Sequence, residues 1–422
     1  MKYLFLIIIN SRVFDMGRAM VISVGTGVGA EPEAGNSLAG GIAYSIRSIN
    51  PDTVYFITSR ESREKTLPRI LSIETPRKYE VFEVSDPDKI KRIFDEVRPL
   101  IEKIRRENKY MAVDFTSGTK AMTSTLAILG TLYEADALCN VVGTRFRGVV
   151  QSGTEELQTV NPTFAIAEKK LITSLEFFNT CQYDSSLSIL EEVEKITKDE
   201  RIRLRTGMLK EASKAYSAWD KFRHAEALEH LKKLGDPAFD KNKRFLGRLK
   251  ALKEKGSESA EAYPLYIADL YNNALRRGGV EKKYDDAVAR LYRTTELLSQ
   301  YRLKAEHGID TSNIPIDRLP ETLSREWENK RMEGPLRIGL FDGYRLLAEL
   351  GDGLGEAIES PKLRDLLKKR NESILAHGLT PVDEATYSSL RDEVYKMVGS
   401  CIKDFDSLIS DSEFPRLDHL PE

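Results

Sequence analysis

DFTSGTKAM, residues 114–122, decides how the first half of the chain is read. An apolar strand-forming run, YMAVDF at 110–115, leads into it and an apolar helical pattern leaves it. Thr116, Ser117, Gly118 and Thr119 therefore form a hydroxyl-rich turn between strand and helix, with Lys120 in the helix's first turn. Such a turn offers backbone N–H groups, hydroxyls and a cation to an anionic ligand. The same residues also serve as an ordinary helix N-cap, so the turn acquires meaning only from its place in the sheet.

Working outward, short β-branched runs at 20–25, 53–58, 79–84, 110–115 and 137–142 alternate with amphipathic segments, the pattern of a parallel sheet covered by helices. The predicted architecture is a doubly wound α/β domain with strand order 3-2-1-4-5. GVVQSGTEELQTV, residues 148–160, reads as a hairpin about Ser152-Gly153 that closes one sheet edge. In this order the first and fourth strands are neighbours at the topological switch point, where ligands bind beyond the carboxyl ends of strands.

The first strand runs into GTGVGAEPEAGNSLAGGI, residues 25–42, so a second glycine-rich loop meets the hydroxyl turn at that point. Gly25, Gly27 and Ala30 match G-x-G-x-x-A, the dinucleotide fingerprint. Its context is wrong in two ways. Glu31-Pro32-Glu33 separates the glycines from a helix predicted to start near Asn36 or Ser37, and the second strand ends in Thr58-Ser59-Arg60 rather than an acid. A dinucleotide-dependent oxidoreductase stays an alternative that cofactor absorbance would reveal.

VISVGTG at the first strand and DFTSGTKAM at the fourth resemble the CRISPR-associated Rossmann fold, the CARF domain. That resemblance implies a homodimeric sensor that binds a cyclic oligoadenylate across its two-fold axis. A polyanionic, symmetric ring suits paired N–H and hydroxyl loops from two subunits. The ligand-binding positions carried over are Gly25, Thr26, Gly27, Asn36, Thr116, Ser117, Gly118, Thr119 and Lys120.

After Asn161-Pro162 the strand signal stops and a 3.6-residue period with charged outer faces runs to the end. The expected organisation is an uncertain extension at 1–19, a ligand-sensing domain at 20–162 and an all-helical domain at 163–422. Tyr183, Phe222 and Tyr284 each open an aromatic-x-x-small segment, as in TPR-like hairpins, but their irregular spacing does not make a repeat array.

Composition bounds the rest. The 422 residues, 41% hydrophobic, suffice for two or three domains with ordinary cores. A net charge of -2 provides no surplus for non-specific binding along duplex nucleic acid. Cys139, Cys181 and Cys401 form no metal or disulfide pattern and fit a reducing, cytoplasmic compartment. The apolar start MKYLFLIII is too short to span a bilayer and lacks a cleavage site, so an upstream start or extra strand is expected, with Met16 or Met20 as alternative starts and no membrane partner.

The helical half holds three arginine-histidine pairs at similar spacing: Arg223 with His230, Arg302 with His307, and Arg370 with His377. The first two lie in lysine- and glutamate-rich helices, where salt-bridged side chains are the usual explanation. RNESILAHG, residues 370–378, differs: Ile374, Leu375 and Ala376 predict a packed setting, and Gly378 predicts a helix C-cap. On one helix, Arg370 and His377 would stand two turns apart, roughly 10.5 Å of rise, on one face. A histidine there can exchange protons with an RNA 2'-hydroxyl while arginine clamps the phosphate. The bland alternative pairs Arg370 with Asp365 or Glu372 and leaves His377 as a polar residue near a helix end. No metal-ligand cluster accompanies the pair, as suits metal-independent transesterification.

R-N-x-x-x-x-A-H-G in a helical region after a CARF-like domain resembles the HEPN ribonuclease motif, with six residues between arginine and histidine at the long end of its range. Residues 267–314 also resemble the helical part of CARF-HEPN proteins, the type III CRISPR ancillary ribonucleases. This resemblance implies a composite catalytic site at a homodimer interface built from Arg370, Asn371 and His377 of each subunit. It further implies a ring-activated endoribonuclease on single-stranded RNA that leaves 2',3'-cyclic phosphate ends and needs no cofactor beyond its allosteric activator. The rival reading is a non-enzymatic sensor whose helical, TPR-like half recruits a protein partner.

Overall fold

The structure is a computed structural model that describes residues 17–26, 32–146, 149–254, 260–328, 336–375 and 378–419. The chain divides into two compact units, Met1–Lys169 and Lys170–Glu422.

In the first unit the strands are β1 (Arg18–Val24), β2 (Thr53–Thr58), β3 (Tyr79–Glu83), β4 (Tyr110–Asp114), β5 (Ala137–Val142), β6 (Arg145–Phe146), β7 (Val149–Val150) and β8 (Glu156–Val160). The helices between them are α1 (Pro32–Ile49), α2 (Arg60–Lys65), α3 (Leu67–Ile73), α4 (Ile90–Glu107) and α5 (Lys120–Leu132). The six-stranded sheet runs β3-β2-β1-β4-β5-β8, parallel except for β8. Its centre is β1, buried on both faces because each side chain has a helical layer to meet. Met20, Ile22 and Val24 pack with Ile42, Ile46 and Ile70 on one side. Ala19 and Val21 pack with Val97, Ile101 and Leu126 on the other. This is the doubly wound arrangement expected from the sequence.

Two local expectations change. Ser152-Gly153 does not join two paired strands: β7 pairs with β6 in a separate ribbon, and the edge strand β8 pairs antiparallel with β5. α1 begins at Pro32 rather than Asn36 or Ser37, because proline needs no N–H partner at the start of a helix. Asn36 thus sits inside α1 and is exposed.

From Thr163 on, the described residues are helical apart from loops and one isolated bridge, Ile314 to Leu336. The longer helices are α6 (Thr163–Asn179), α7 (Tyr183–Ile196), α8 (Glu200–Asp220), α9 (His224–Leu231), α10 (Asp240–Glu254) and α11 (Tyr263–Leu275). They continue with α12 (Tyr284–His307), α13 (Glu321–Glu328), α14 (Leu340–Glu349), α15 (Pro361–Asn371), α16 (Glu384–Cys401) and α17 (Phe405–Ser412). No described helix is long and apolar enough to cross a membrane. Trp219, Tyr216, Phe239, Trp327 and Tyr344 are fully buried and fill the helical core.

The three aromatic-start segments share a backbone device. Cys181, Phe222 and Lys282 each adopt the left-handed conformation, with φ of 60°, 57° and 57°, two positions before α7, α9 and α12 begin. The equivalent positions are therefore Tyr183, His224 and Tyr284, and Phe222 belongs to the turn rather than to the helix it precedes. A short left-handed turn lets one helix fold back on the last.

Candidate ligand and nuclease sites

The two loops that the sequence places at the switch point touch. Gly25 donates its N–H to Ser117 Oγ at 2.9 Å, and Ser23 donates its hydroxyl to the Ser117 carbonyl. A Cβ on Gly25 would lie 2.7 Å from Gly118 N and 2.9 Å from Gly118 Cα, so only glycine allows the approach. Gly118 has φ +133°, a region that also requires glycine. Gly25 and Gly118 are thus structural necessities of one combined loop surface.

The hydroxyls divide by role. Thr116 Oγ1 accepts the Val141 N–H at 2.8 Å, tying the turn to β5. Ser117 is buried and holds β1 to the turn. Thr119 caps α5, accepting the Met122 N–H at 3.2 Å and donating to the Pro87 carbonyl. Beneath the turn, Asp114 is fully buried, accepts the Thr116 N–H at 2.7 Å and the Ser45 hydroxyl, and burial pushes its carboxyl pKa up. Thr26 and Lys120 are exposed at the loop surface, and Asn36 is exposed on α1. Gly27 lies outside the described residues. Asp114 opens the DFTSGTKAM stretch, whereas Ser45, which bonds it from below, carries no motif that a sequence reading could flag.

In the second unit the three arginine-histidine pairs separate. Arg223 bonds Glu226 at 3.2 Å, and His230 Nδ1 meets Glu211 at 2.9 Å. Arg302 and His307 share Asp352, at 2.9 and 3.3 Å. Both pairs are held by carboxylates. Arg370 is not: Asp365 pairs with Lys369 at 3.5 Å and Glu372 with Lys368 at 3.9 Å, and among the described residues no carboxylate bonds Arg370. Its guanidinium instead lies over the Tyr292 ring, with Cζ 4.3 Å from the centroid, and Nη1 donates to Asn371 Oδ1 at 3.1 Å. Arg370 Nε and Ser373 Oγ are buried without a hydrogen-bond partner among the described residues.

The local geometry corrects the expectation of a helix that reaches a C-cap at Gly378. α15 ends at Asn371, and Glu372 is its C-cap. The chain then turns: Gly378 donates to the Ser373 carbonyl at 3.2 Å, and Thr380 to the Glu372 carbonyl at 3.3 Å. A Cβ on Gly378 would fall 1.8 Å from the Glu372 oxygen. Glycine thus lets the chain double back on the helix end. Ile374 and Leu375 are half exposed, at 55% and 50%, so these two side chains lie open rather than packed, and Ala376 lies outside the described residues. His377 lies outside the described residues. Tyr292, on α12, is the neighbour that sequence reasoning missed, since nothing local links it to Arg370.

Residues 165–257 match the family model of the Csm6 6H domain, and residues 255–399, which include Arg370, match that of the Csm6 HEPN domain. The CRISPR system endoribonuclease Csm6 of Thermus thermophilus is 27% identical over 404 residues, spanning 87% of this chain and 82% of the relative. The solved structure of Enterococcus italicus Csm6 bound to cyclic hexa-2'-fluoro-hexa-dAMP superposes with a TM-score of 0.58 at 13% identity, covering 94% of this chain and 98% of that one, a likeness of fold. Two adjacent Csm6 domains, a Csm6 relative across most of the chain and the doubly wound sheet ahead of a helical half lead to one conclusion: the chain belongs to the Csm6 family of CARF-HEPN CRISPR-associated ribonucleases.

Proposed function

We propose that this chain is a CRISPR-associated endoribonuclease, activated by a cyclic oligoadenylate, that cleaves single-stranded RNA without a metal ion. The observation that carries the nuclease reading is the state of Arg370. Within the segment matched to the HEPN domain, its guanidinium is kept by an aromatic ring and an amide oxygen, with its charge left for a phosphate. The other two arginine-histidine pairs spend theirs on carboxylates.

In the proposed reaction the RNA 2'-oxygen bonds to the adjacent phosphorus while the bond from phosphorus to the 5'-oxygen breaks. The products are a 2',3'-cyclic phosphate and a 5'-hydroxyl. His377 takes the proton from the 2'-hydroxyl or returns one to the leaving oxygen, and Arg370 binds the charge that grows on the phosphate, with Asn371 orienting it. In a homodimer, two such sets face one phosphate and reinforce each other. The sensing surface is the joined loops of Gly25, Thr26 and Thr116 to Lys120, with Asn36 of α1 and Gly27 as the further positions assigned to the ring. Support for a ring as activator comes from the cyclic hexa-adenylate analogue bound to the Enterococcus relative and from the glycine-built loop contact. The ring must favour one arrangement of the helical units, which makes the coupling allosteric.

Cleavage of a labelled RNA by the wild-type and His377→Ala proteins, each with and without cyclic tetra- and hexa-adenylate, tests both halves. The expected result is ring-stimulated cleavage by wild type alone, with cyclic phosphate ends. Undiminished cleavage by His377→Ala would sink the site, and indifference to both rings would sink the sensor.

A further inference from the structure

We infer that Tyr292 is a positioning residue for cleavage: its ring face holds the Arg370 guanidinium in the orientation that a scissile phosphate requires. The inference rests on the role given to Arg370 above.

An arginine at a helix end has a long stem, and ordering it costs rotamer freedom of roughly 2 kcal/mol. The common way to fix such a side chain is a carboxylate partner, but that partner neutralises the charge that the phosphate needs. This site uses neutral groups instead. The Tyr292 ring lies under the guanidinium with Cζ 4.3 Å from its centroid, and the Asn371 amide oxygen accepts from Nη1 at 3.1 Å. The acids nearest in sequence, Asp365 and Glu372, are taken by Lys369 and Lys368. The clamp therefore sets direction without consuming charge.

Tyr292 is itself suited to hold still. It sits on α12, which packs against α15, between Leu291 and Thr294, both fully buried. Burial pushes its hydroxyl pKa above the usual value, outweighing the opposite pull of Arg370, so the phenol stays neutral and adds no countercharge. The ring face supplies the attraction, and the hydroxyl is dispensable.

The test uses full-length protein with an RNA oligonucleotide and the activating ring, comparing wild type, Tyr292→Phe, Tyr292→Leu and Arg370→Gln. Tyr292→Phe should keep kcat within about twofold, since the ring face remains. Tyr292→Leu should lower kcat by about 10-fold with little change in KM, in the range of a partly buried cation–π contact. In an Arg370→Gln background the Tyr292→Leu loss should shrink below about twofold, because a residue that acts through another has nothing left to act on. Should Tyr292→Leu fail to fold, Tyr292→Met takes its place, its flexible thioether adapting to the gap while still lacking an aromatic face.

A Tyr292→Leu enzyme at the wild-type rate, a Tyr292→Phe enzyme as slow as Tyr292→Leu, or a full loss persisting beside Arg370→Gln each overturns the inference. If Arg370→Gln alone cleaves as wild type, the nuclease reading of Arg370 fails first and this inference goes with it.

Discussion

The amide of Gly25 donates to the Ser117 hydroxyl at 2.9 Å, so the loops after β1 and β4 form one surface. A methyl group at Gly25 would meet Gly118 N at 2.7 Å, with backbone on the far side and no flexible side chain to yield. Forcing the loops apart costs about 1–3 kcal/mol by the usual scale of overpacking. Gly25→Ala should weaken ring binding at least about tenfold by calorimetry, since 1.4 kcal/mol is a factor of ten. RNA cleavage without ring should stay at its basal rate. Unchanged ring affinity would show that the joined loops do not face the ligand.

Acid should weaken the region around Glu211. Burial of this carboxyl opposes ionisation, but bonds from Lys233, His230 and Lys214 outweigh it and lower its pKa to about 2. A folded pKa below the unfolded value of 4.5 contributes stability that is complete above pH 4.5 and lost as pH falls toward 2. That contribution is on the order of 2–3 kcal/mol. Thermal melts of wild type and Glu211→Gln from neutral pH downward should show wild type the more stable at pH 7, with the gap closing in acid. A gap independent of pH would place the effect of the substitution in packing rather than charge.

The sheet was legible because buried parallel strands read as continuous apolar, β-branched runs, and β1, β2, β4 and β5 begin or end within two residues of the expected bounds. Local signals misled where tertiary pairing decided. Ser152-Gly153 marks a turn, yet β8 takes β5 as its partner, which only the sheet edge can dictate. Pro32 carried the helix start in plain view, as a proline suited to the first helical position. At the RNESILAHG stretch, Ile374 and Leu375 looked like core because they are apolar, but the helix stops at Asn371 and leaves them exposed. Tyr292 and Ser45 belong to contacts between elements distant in sequence, and no spacing announces them.

The Arg302 and His307 pair supplies an internal control. Asp352 is almost wholly buried, accepts from Arg302 and His307, and caps the Gly353–Glu359 turn through the Leu354 N–H at 3.0 Å. Asp352→Ala should cost about 1–3 kcal/mol, because it uncaps the turn and leaves Arg302 only its exposed partner Glu306. His307→Gln should leave ring-stimulated cleavage unchanged while lowering the melting temperature by a few degrees, on the scale of one lost hydrogen bond. Loss of cleavage with intact folding in His307→Gln would move the catalytic assignment to this pair.

Arginine and lysine should not be interchangeable at position 370. Lysine keeps the charge and can still lie over Tyr292, but it has no planar fork to reach both Asn371 and a phosphate. Under the proposed role, in which the guanidinium acts on charge that grows in the transition state, Arg370→Lys should lower kcat by about 10²-fold while KM and ring affinity hold within a small factor. Stopped-time assays at saturating ring and RNA read this directly. If KM rises and kcat holds, Arg370 serves ground-state binding of the RNA, and the charge it keeps free is spent before the chemical step.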